Sequence, residues 1–179
     1  MLRKEDAVLV VIDIQGRLAT LMQRQEALFA NVIRMIKGAG VLGVPVIWTE
    51  QLPDKLGRTA PEITAALDGI APLVKKTFSC CGDRNFLAQL KTLKRKQLLL
   101  TGIETHICVY QTAMDLRKDG YEVYVVRDAV SSRIEDNYQL GLERMKDAGA
   151  IMTSVEMSLF EMLTVAEGDL FKQIIQIVK

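Results

Sequence analysis

The sequence is poor in the residues that most often announce a function. It holds one histidine, His106, in 179 residues, which excludes any metal site built from two or more histidines. Cysteines number three, an odd count with Cys80 and Cys81 adjacent, so there is no disulfide framework to read. That usage points to a reduced chain, and the expected compartment is the cytoplasm. Neither sign of charge is in excess: 23 Lys plus Arg stand against 22 Asp plus Glu, a formal net charge of +1. A balance of this kind gives no bulk electrostatic case for nucleic acid or an anionic membrane surface as partner. Long apolar runs are also missing. Ala7 to Ile12 is stopped at once by Asp13, far short of the roughly 20 residues a bilayer span needs. Arg3 and Lys4 precede that run, but Glu5, Asp6 and Asp13 and the lack of a small-residue cleavage site argue against a secretory signal.

What is present is an ordinary globular balance, 49% apolar and 25% charged, in a length that suits one domain. Residues 1–179 are therefore expected to form a single domain. Short β-rich runs alternate with helical periodicity. AVLVVID at Ala7 to Asp13 has the unbroken apolar character of a strand buried on both faces. Leu28, Val32, Met35 and Ile36 recur at helical spacing, and Gly38, Gly40 and Gly43 are expected to end that helix. Further strands are expected at Val44 to Thr49, Leu73 to Phe78, Gln97 to Thr101, Tyr121 to Arg127 and Ala150 to Thr153. Helices are expected around Phe86 to Leu93, His106 to Lys118, Asp136 to Ala148 and Glu156 to Leu163, with a loop from Pro53 to Pro61. An amphipathic tail at about 169–178 carries Leu170, Phe171, Ile174, Ile175 and Val178. That stripe must be covered, either by its own domain or by a second subunit.

Alternation of this kind implies βαβ units, hence an α/β fold: three layers, α/β/α, around a mostly parallel, Rossmann-like sheet of about six strands. Ligands of such sheets sit at the carboxyl ends of the strands. The polar residues that follow the strands are therefore the ones to weigh: Asp13, Thr49 with Glu50, Lys75, the Gly102 to Cys108 segment, and Asp128. Gly38 to Gly43 match the G-x-G-x-x-G spacing of dinucleotide loops, but they follow a helix and precede a strand. The phosphate-binding mechanism needs the reverse order, so no nucleotide cofactor is expected.

Asp13, Lys75 and Cys108 fall on one sheet edge. A thiol there, in the first turn of a helix, is favoured to ionise. A carboxylate in reach can take its proton, and a lysine can hold both groups. Each residue also has a plain structural reading: a buried small side chain, a helix cap and a solvated surface charge respectively. Gln15, Trp48, Phe78 and Thr105 are candidates for pocket walls or polar contacts, although core packing or capping would account for them equally. His106 lies two residues before the thiol, and on a helix such neighbours point apart. Cys80 and Cys81 are too few for a zinc cluster. Arg133 could pair with an acid anywhere.

The stretches LVVIDIQ, KKTFSCCGD, TGIETHICVYQTAMDL and YEVYVVRDAVSSR resemble the isochorismatase-like cysteine hydrolases, a family that includes nicotinamidases and N-carbamoylsarcosine amidases. The likeness runs from about Ala7 to Leu163. It implies a catalytic triad of Asp13, Lys75 and Cys108, and selects Lys75 over Lys76 by its distance from Phe78. It also implies a cis peptide bond between Ile103 and Glu104, and an oxyanion hole formed by the amides of Glu104 and Cys108. Two departures narrow the reading. The stretch WTEQLPDKL at Trp48 to Leu56 has no histidine where nicotinamidases hold a metal, so no metal is expected. The isochorismatases that cleave a vinyl ether lack the cysteine that Cys108 supplies. The expected function is hydrolysis of a small amide, ureido or related acyl compound through a thioester, in a homo-oligomer. Competing readings are a vinyl-ether hydrolase, a catalytically silent oligomeric binding scaffold and a thiol-based redox sensor.

Overall fold

The computed structural model describes all residues from Met1 to Lys179. In chain order the elements are β1 (Ala7–Ile12), α1 (Gly16–Thr20), α2 (Gln25–Leu42), β2 (Val46–Gln51), α3 (Pro53–Leu56), α4 (Pro61–Ala66), β3 (Leu73–Lys75), α5 (Arg84–Leu93) and β4 (Gln97–Ile103). After a π-helical turn at Thr105–Val109 come α6 (Tyr110–Lys118), β5 (Glu122–Ser131), α7 (Glu135–Asp147), β6 (Ile151–Thr153), α8 (Val155–Leu163) and α9 (Gly168–Val178). The six strands form one sheet in the order β3-β2-β1-β4-β5-β6, and every neighbouring pair is parallel. The α/β/α reading of the sequence is correct.

Strand alternation builds the layers. Along β1, Ala7, Leu9 and Val11 face a core shared with α2, α8 and α9, while Val8, Val10 and Ile12 face a second core shared with α5, α6 and α7. The same division separates Leu99 from Leu98 and Leu100 on β4. Burial on both faces is why these strands are apolar at every position, the mark of a central parallel strand. The tail helix α9 docks on its own chain, with Ile174 fully buried among residues of α2 and α8.

Several boundaries differ from expectation, each for a tertiary reason. Helix α2 does not stop at Gly38 or Gly40. It runs to Leu42 and ends at Gly43, which is left-handed (φ 69°) and lets the amides of Gly43 and Val44 close on Gly40 and Ala39. Gly38 is a contact residue instead: a Cβ there would lie 2.4 Å from a Leu159 methyl, so its absence lets α8 approach α2. The edge strand β3 is only three residues long, because the chain turns sharply after Lys75 so that two later carbonyls meet its ammonium. Strand β5 runs on to Ser131, beside a register shift at Leu100/Gly102. Asp128 is consequently inside β5, away from the active edge, and its carboxylate accepts the Val155 amide at the start of α8. The segment read as a plain loop from Pro53 to Pro61 contains α3, and Pro61 opens α4.

Replacing Gly38 with Ala sets about 1 kcal/mol of gained helix propensity against a steric clash of roughly 1–3 kcal/mol with Leu159. Gly38→Ala should lower stability in urea unfolding. In a Leu159→Ala background, where the clashing methyls are gone, the same change should become stabilising.

Candidate active site

The strand order reverses direction between β1 and β4, and open α/β sheets bind ligands in the crevice at that switch. Asp13 follows β1 and the Glu104–Cys108 segment follows β4, so both sides of the crevice carry chemistry. The two strands come unusually close there. Gly102 has φ +113°, and a Cβ on it would sit 2.1 Å from the Ile12 carbonyl oxygen. Only glycine fits, since the obstacle is backbone and cannot move aside.

Asp13 is buried and left-handed (φ 49°), and its two oxygens have separate partners. Oδ1 accepts from Thr49 Oγ1 at 2.7 Å, and Oδ2 accepts from Lys75 Nζ at 2.5 Å. Lys75 is 1% exposed, and its ammonium also donates to Gln51 Oε1 and to the carbonyls of Thr77 and Phe78, at 3.0–3.2 Å. A buried charge is tolerated only when paired and fully hydrogen-bonded, and here the ammonium meets both conditions. Cys108 Sγ lies 3.4 Å from the same Gln51 Oε1. One amide oxygen thus receives both the thiol and the lysine.

Gln51 was not singled out in the sequence, because it lies two residues beyond the expected end of the second strand. Gln15 positions it: the Gln15 side chain accepts from the Gln51 amide at 2.6 Å and donates to the carbonyls of Gln51 and Gly57. Together these groups floor a cavity of about 340 Å³ walled by Leu18, Leu52, Leu56, Phe78, Ile103 and Ile107. Asp13, Gln15, Phe78, Glu104 and Cys108 all line it. Two candidate wall residues do not. Trp48 points into the core on the α2 side of the sheet, with its indole N–H on the Ile70 carbonyl, because its parity along β2 is opposite to that of Ile47. Thr105 is fully buried, and its hydroxyl has no partner.

The Ile103–Glu104 peptide bond is cis, and the Glu104 carbonyl accepts the amides of Ile107 and Val109, closing the turn that carries Cys108. The buried Glu104 carboxylate is held by Arg133 Nε at 2.5 Å, with His106 Nδ1 at 3.5 Å from its other oxygen. His106 Nδ1 also meets Ser132 Oγ at 2.9 Å, so the histidine serves this polar cluster and does not touch Cys108. No set of three or more His, Cys, Asp and Glu side chains is placed to hold a metal. The three cysteines are free. Burial pushes the Cys80 thiol up to about 11 and that of Cys81 up to about 12.

The thiol of Cys108 departs from expectation. Burial raises its pKa strongly and the Asp13 carboxylate raises it further, while Lys75 pulls the other way and loses. The turn's amino end does not outweigh that desolvation, so burial favours the protonated form of this thiol.

The isochorismatase domain model matches residues 7–157. The chain belongs to the isochorismatase family. This isochorismatase-family chain is 38% identical over 180 residues to the secreted isochorismatase effector Isc1 of Phytophthora sojae, an alignment spanning 97% of this chain and 84% of that protein. It is 35% identical to isochorismatase domain-containing protein 2A of Mus musculus, over 98% of this chain and 84% of the mouse protein. Among solved structures, the MAR1 ribonuclease of Caenorhabditis elegans superposes with a TM-score of 0.92 at 32% identity, covering 99% of this chain and 91% of that one. The YcaC gene product of Escherichia coli, described as an octameric hydrolase of unknown specificity, shares the fold with a TM-score of 0.90 at 24% identity, over 98% of this chain and 91% of that one. No helix of this isochorismatase-family chain is long and apolar enough to cross a membrane.

Removing the Asp13 charge leaves Lys75 as the remaining nearby charge acting on the thiol. The pH midpoint for iodoacetamide labelling of Cys108 should therefore fall in Asp13→Asn, as followed by peptide mass spectrometry. A midpoint that stays put or rises would show that the carboxylate does not act on the sulfur.

Proposed function

We propose that this chain is a cysteine hydrolase of small amides, ureido compounds or related acyl derivatives. One observation carries the reading: Asp13 and Cys108 open into the same small cavity, and Lys75 is bound to Asp13 and to the glutamine that holds the thiol. The neutral resting thiol suits a base-assisted attack better than a preformed thiolate. As Sγ bonds to the substrate carbonyl carbon, its proton passes to Asp13, and the carbonyl π pair moves onto oxygen. Amides of the Glu104–Cys108 turn would stabilise that oxyanion. Collapse breaks the C–N bond, and the leaving nitrogen takes the proton from Asp13. Water then attacks the thioester, giving its proton to Asp13. The C–S bond breaks, and the proton returns to sulfur. The net change is one amide plus one water to one acid plus one amine.

In this scheme Lys75 holds and aims Asp13, and Gln51 orients the sulfur. Three free thiols are in keeping with a reducing compartment. We place it in the cytoplasm on the same grounds. The assembly we propose is a homo-oligomer, because Ile134, Leu140 and Met157 are large apolar side chains left more than half exposed. Light scattering should return a mass well above the 20.0 kDa of one chain.

Cys108→Ala should abolish turnover of an amide panel, and Asp13→Asn should reduce kcat by 10²–10⁴-fold, on the order of a lost general base, even though its thiol ionises more readily. Full activity in Cys108→Ala would sink the proposal. A second reading, ribonuclease action, is favoured by the likeness to the C. elegans protein described as a ribonuclease. The balanced net charge of +1 weighs against it. RNA cleavage by the wild type, with no turnover of any amide, would establish the second reading over the first.

A further inference from the structure

Three carboxylates of this chain are buried: Asp13, Glu50 and Glu104. Asp13 gives one oxygen to Thr49 and the other to Lys75, and Glu50 gives one to the Thr59 amide and the other to Arg58. Glu104 differs from both. Arg133 Nε donates to its Oε1, while its Oε2 is sealed from solvent and accepts no hydrogen bond. A buried carboxylate oxygen left without a donor is costly, so its surroundings should hold a group able to supply one. The group that faces it is His106, whose Nδ1 stands 3.5 Å from Oε2 and 2.9 Å from Ser132 Oγ.

His106 is held tightly by its neighbours. It lies on the Thr105–Val109 turn, and α7 packs so closely there that a Cβ on Gly141 would come within 3.0 Å of the His106 Cα. The titratable or charged groups around it are Glu104 and Cys108 on its own segment and Arg133 after β5. The face of α7 that carries Gly141 adds Tyr138 and Arg144, which are engaged with the Arg127 carbonyl and the Tyr110 ring of α6. The ends of β4 and β5 beside the turn, Thr101–Ile103 and Ala129–Ser131, carry no charge. At 21% exposure the imidazole can still exchange its proton with solvent. Its two protonation states act differently on Glu104. An imidazolium always has hydrogen on Nδ1 and offers Oε2 a charge-assisted bond. A neutral ring offers either an uncharged, weaker donor or a lone pair turned toward a carboxylate oxygen. Histidine is the side chain that changes charge nearest neutrality, between about pH 5 and 8.

We propose that His106 is a positioning residue of this site: as an imidazolium it closes on Glu104 Oε2 and, through that carboxylate, fixes the Glu104–Cys108 turn whose amides receive the oxyanion. The inference rests on the reading of Cys108 as an acyl-accepting nucleophile. His106 does not touch the sulfur, and no proton of the reaction passes through it. Held at one oxygen by Arg133 and at the other by His106, the Glu104 side chain is clamped from two sides. The backbone of the same residue carries one of the oxyanion amides, and its carbonyl accepts the amides of Ile107 and Val109. Loss of the His106 proton releases one side of the clamp and lets the turn amides drift from the oxyanion.

The experiment compares two reactions of one sulfur and needs no known substrate. Acetylation by 4-nitrophenyl acetate passes through a tetrahedral oxyanion: an S–C bond forms, the C–O bond to 4-nitrophenolate breaks and the thiol proton is released. Alkylation by iodoacetamide forms S–C, expels iodide and releases the same proton, with no oxyanion. Their rate ratio at Cys108 therefore follows the turn amides and cancels the ionisation of the thiol. Acetylation is read as the burst of 4-nitrophenol in acid-quenched samples, less that of Cys108→Ala, and alkylation by peptide mass spectrometry. N-acetylcysteine supplies the intrinsic ratio at each pH. Relative to it, the wild-type ratio should fall about tenfold from pH 5 to pH 8, a part of the roughly 10²–10³-fold carried by one oxyanion donor. His106→Gln should give a low ratio that no longer changes with pH. His106→Lys, which keeps a cation at that position throughout the range, should restore the high ratio without the fall. A wild-type ratio that tracks N-acetylcysteine, or a His106→Gln profile equal to that of the wild type, overturns the role of His106 and leaves the nucleophile in place. The wild-type profile needs no variant, so the test stands even where a substitution prevents folding. Failure of Cys108 to react with either reagent overturns the hydrolase reading and this inference with it.

Discussion

The buried ion pair between Lys75 and Asp13 is the constraint around which the site is arranged. An ammonium that is 1% exposed must find a partner for every proton, and it does so from four directions: Asp13, Gln51, and the carbonyls of Thr77 and Phe78. These acceptors come from the ends of β1 and β2 and from the turn after β3, so satisfying one side chain registers three parts of the chain. Removing either charge would leave the other buried and uncompensated, a cost of roughly 3–5 kcal/mol in comparable pairs. The same pair sets the electrostatics of the thiol, because Asp13 and Lys75 act on Cys108 with opposite signs.

A second ion pair, Glu104 with Arg133, repeats the device at the mouth with a different outcome. Glu104 is buried, but its partner reaches solvent and keeps unused donors. The first pair is closed, with every donor and acceptor taken up beside the Cys108 thiol. The second is open to solvent on the Arg133 side. Between them lies a thiol whose burial raises its pKa and favours its protonated form.

Much of this was legible along the chain. The unbroken apolar strands announced a parallel sheet, and the rule that ligands gather at carboxyl ends of strands selected Asp13, Lys75 and the Cys108 segment. The misses share one cause. Gln51 was hidden because β2 is shifted two residues from its apolar run, and the parity of a strand, which sent Trp48 into the core, depends on register with its neighbours. Asp128 was set at a strand end because the polar Arg127–Asp128 step looks like one, whereas β5 continues past it to Ser131. Gly38 read as a helix stop because its partner, Leu159, is 121 positions away in the chain and no local pattern contains it.

The sequence by itself determined the layer order, the parallel sheet and the set of residues able to do chemistry, since these follow from side-chain periodicity and residue type, which are local. Tertiary structure decided the burial of the thiol, the partners of the Asp13 carboxylate and the pairing of Arg133 with Glu104 at the rim. Those are consequences of desolvation and distance between segments remote in sequence. Neither quantity exists until the sheet has brought β1, β2, β3 and β4 to a common edge.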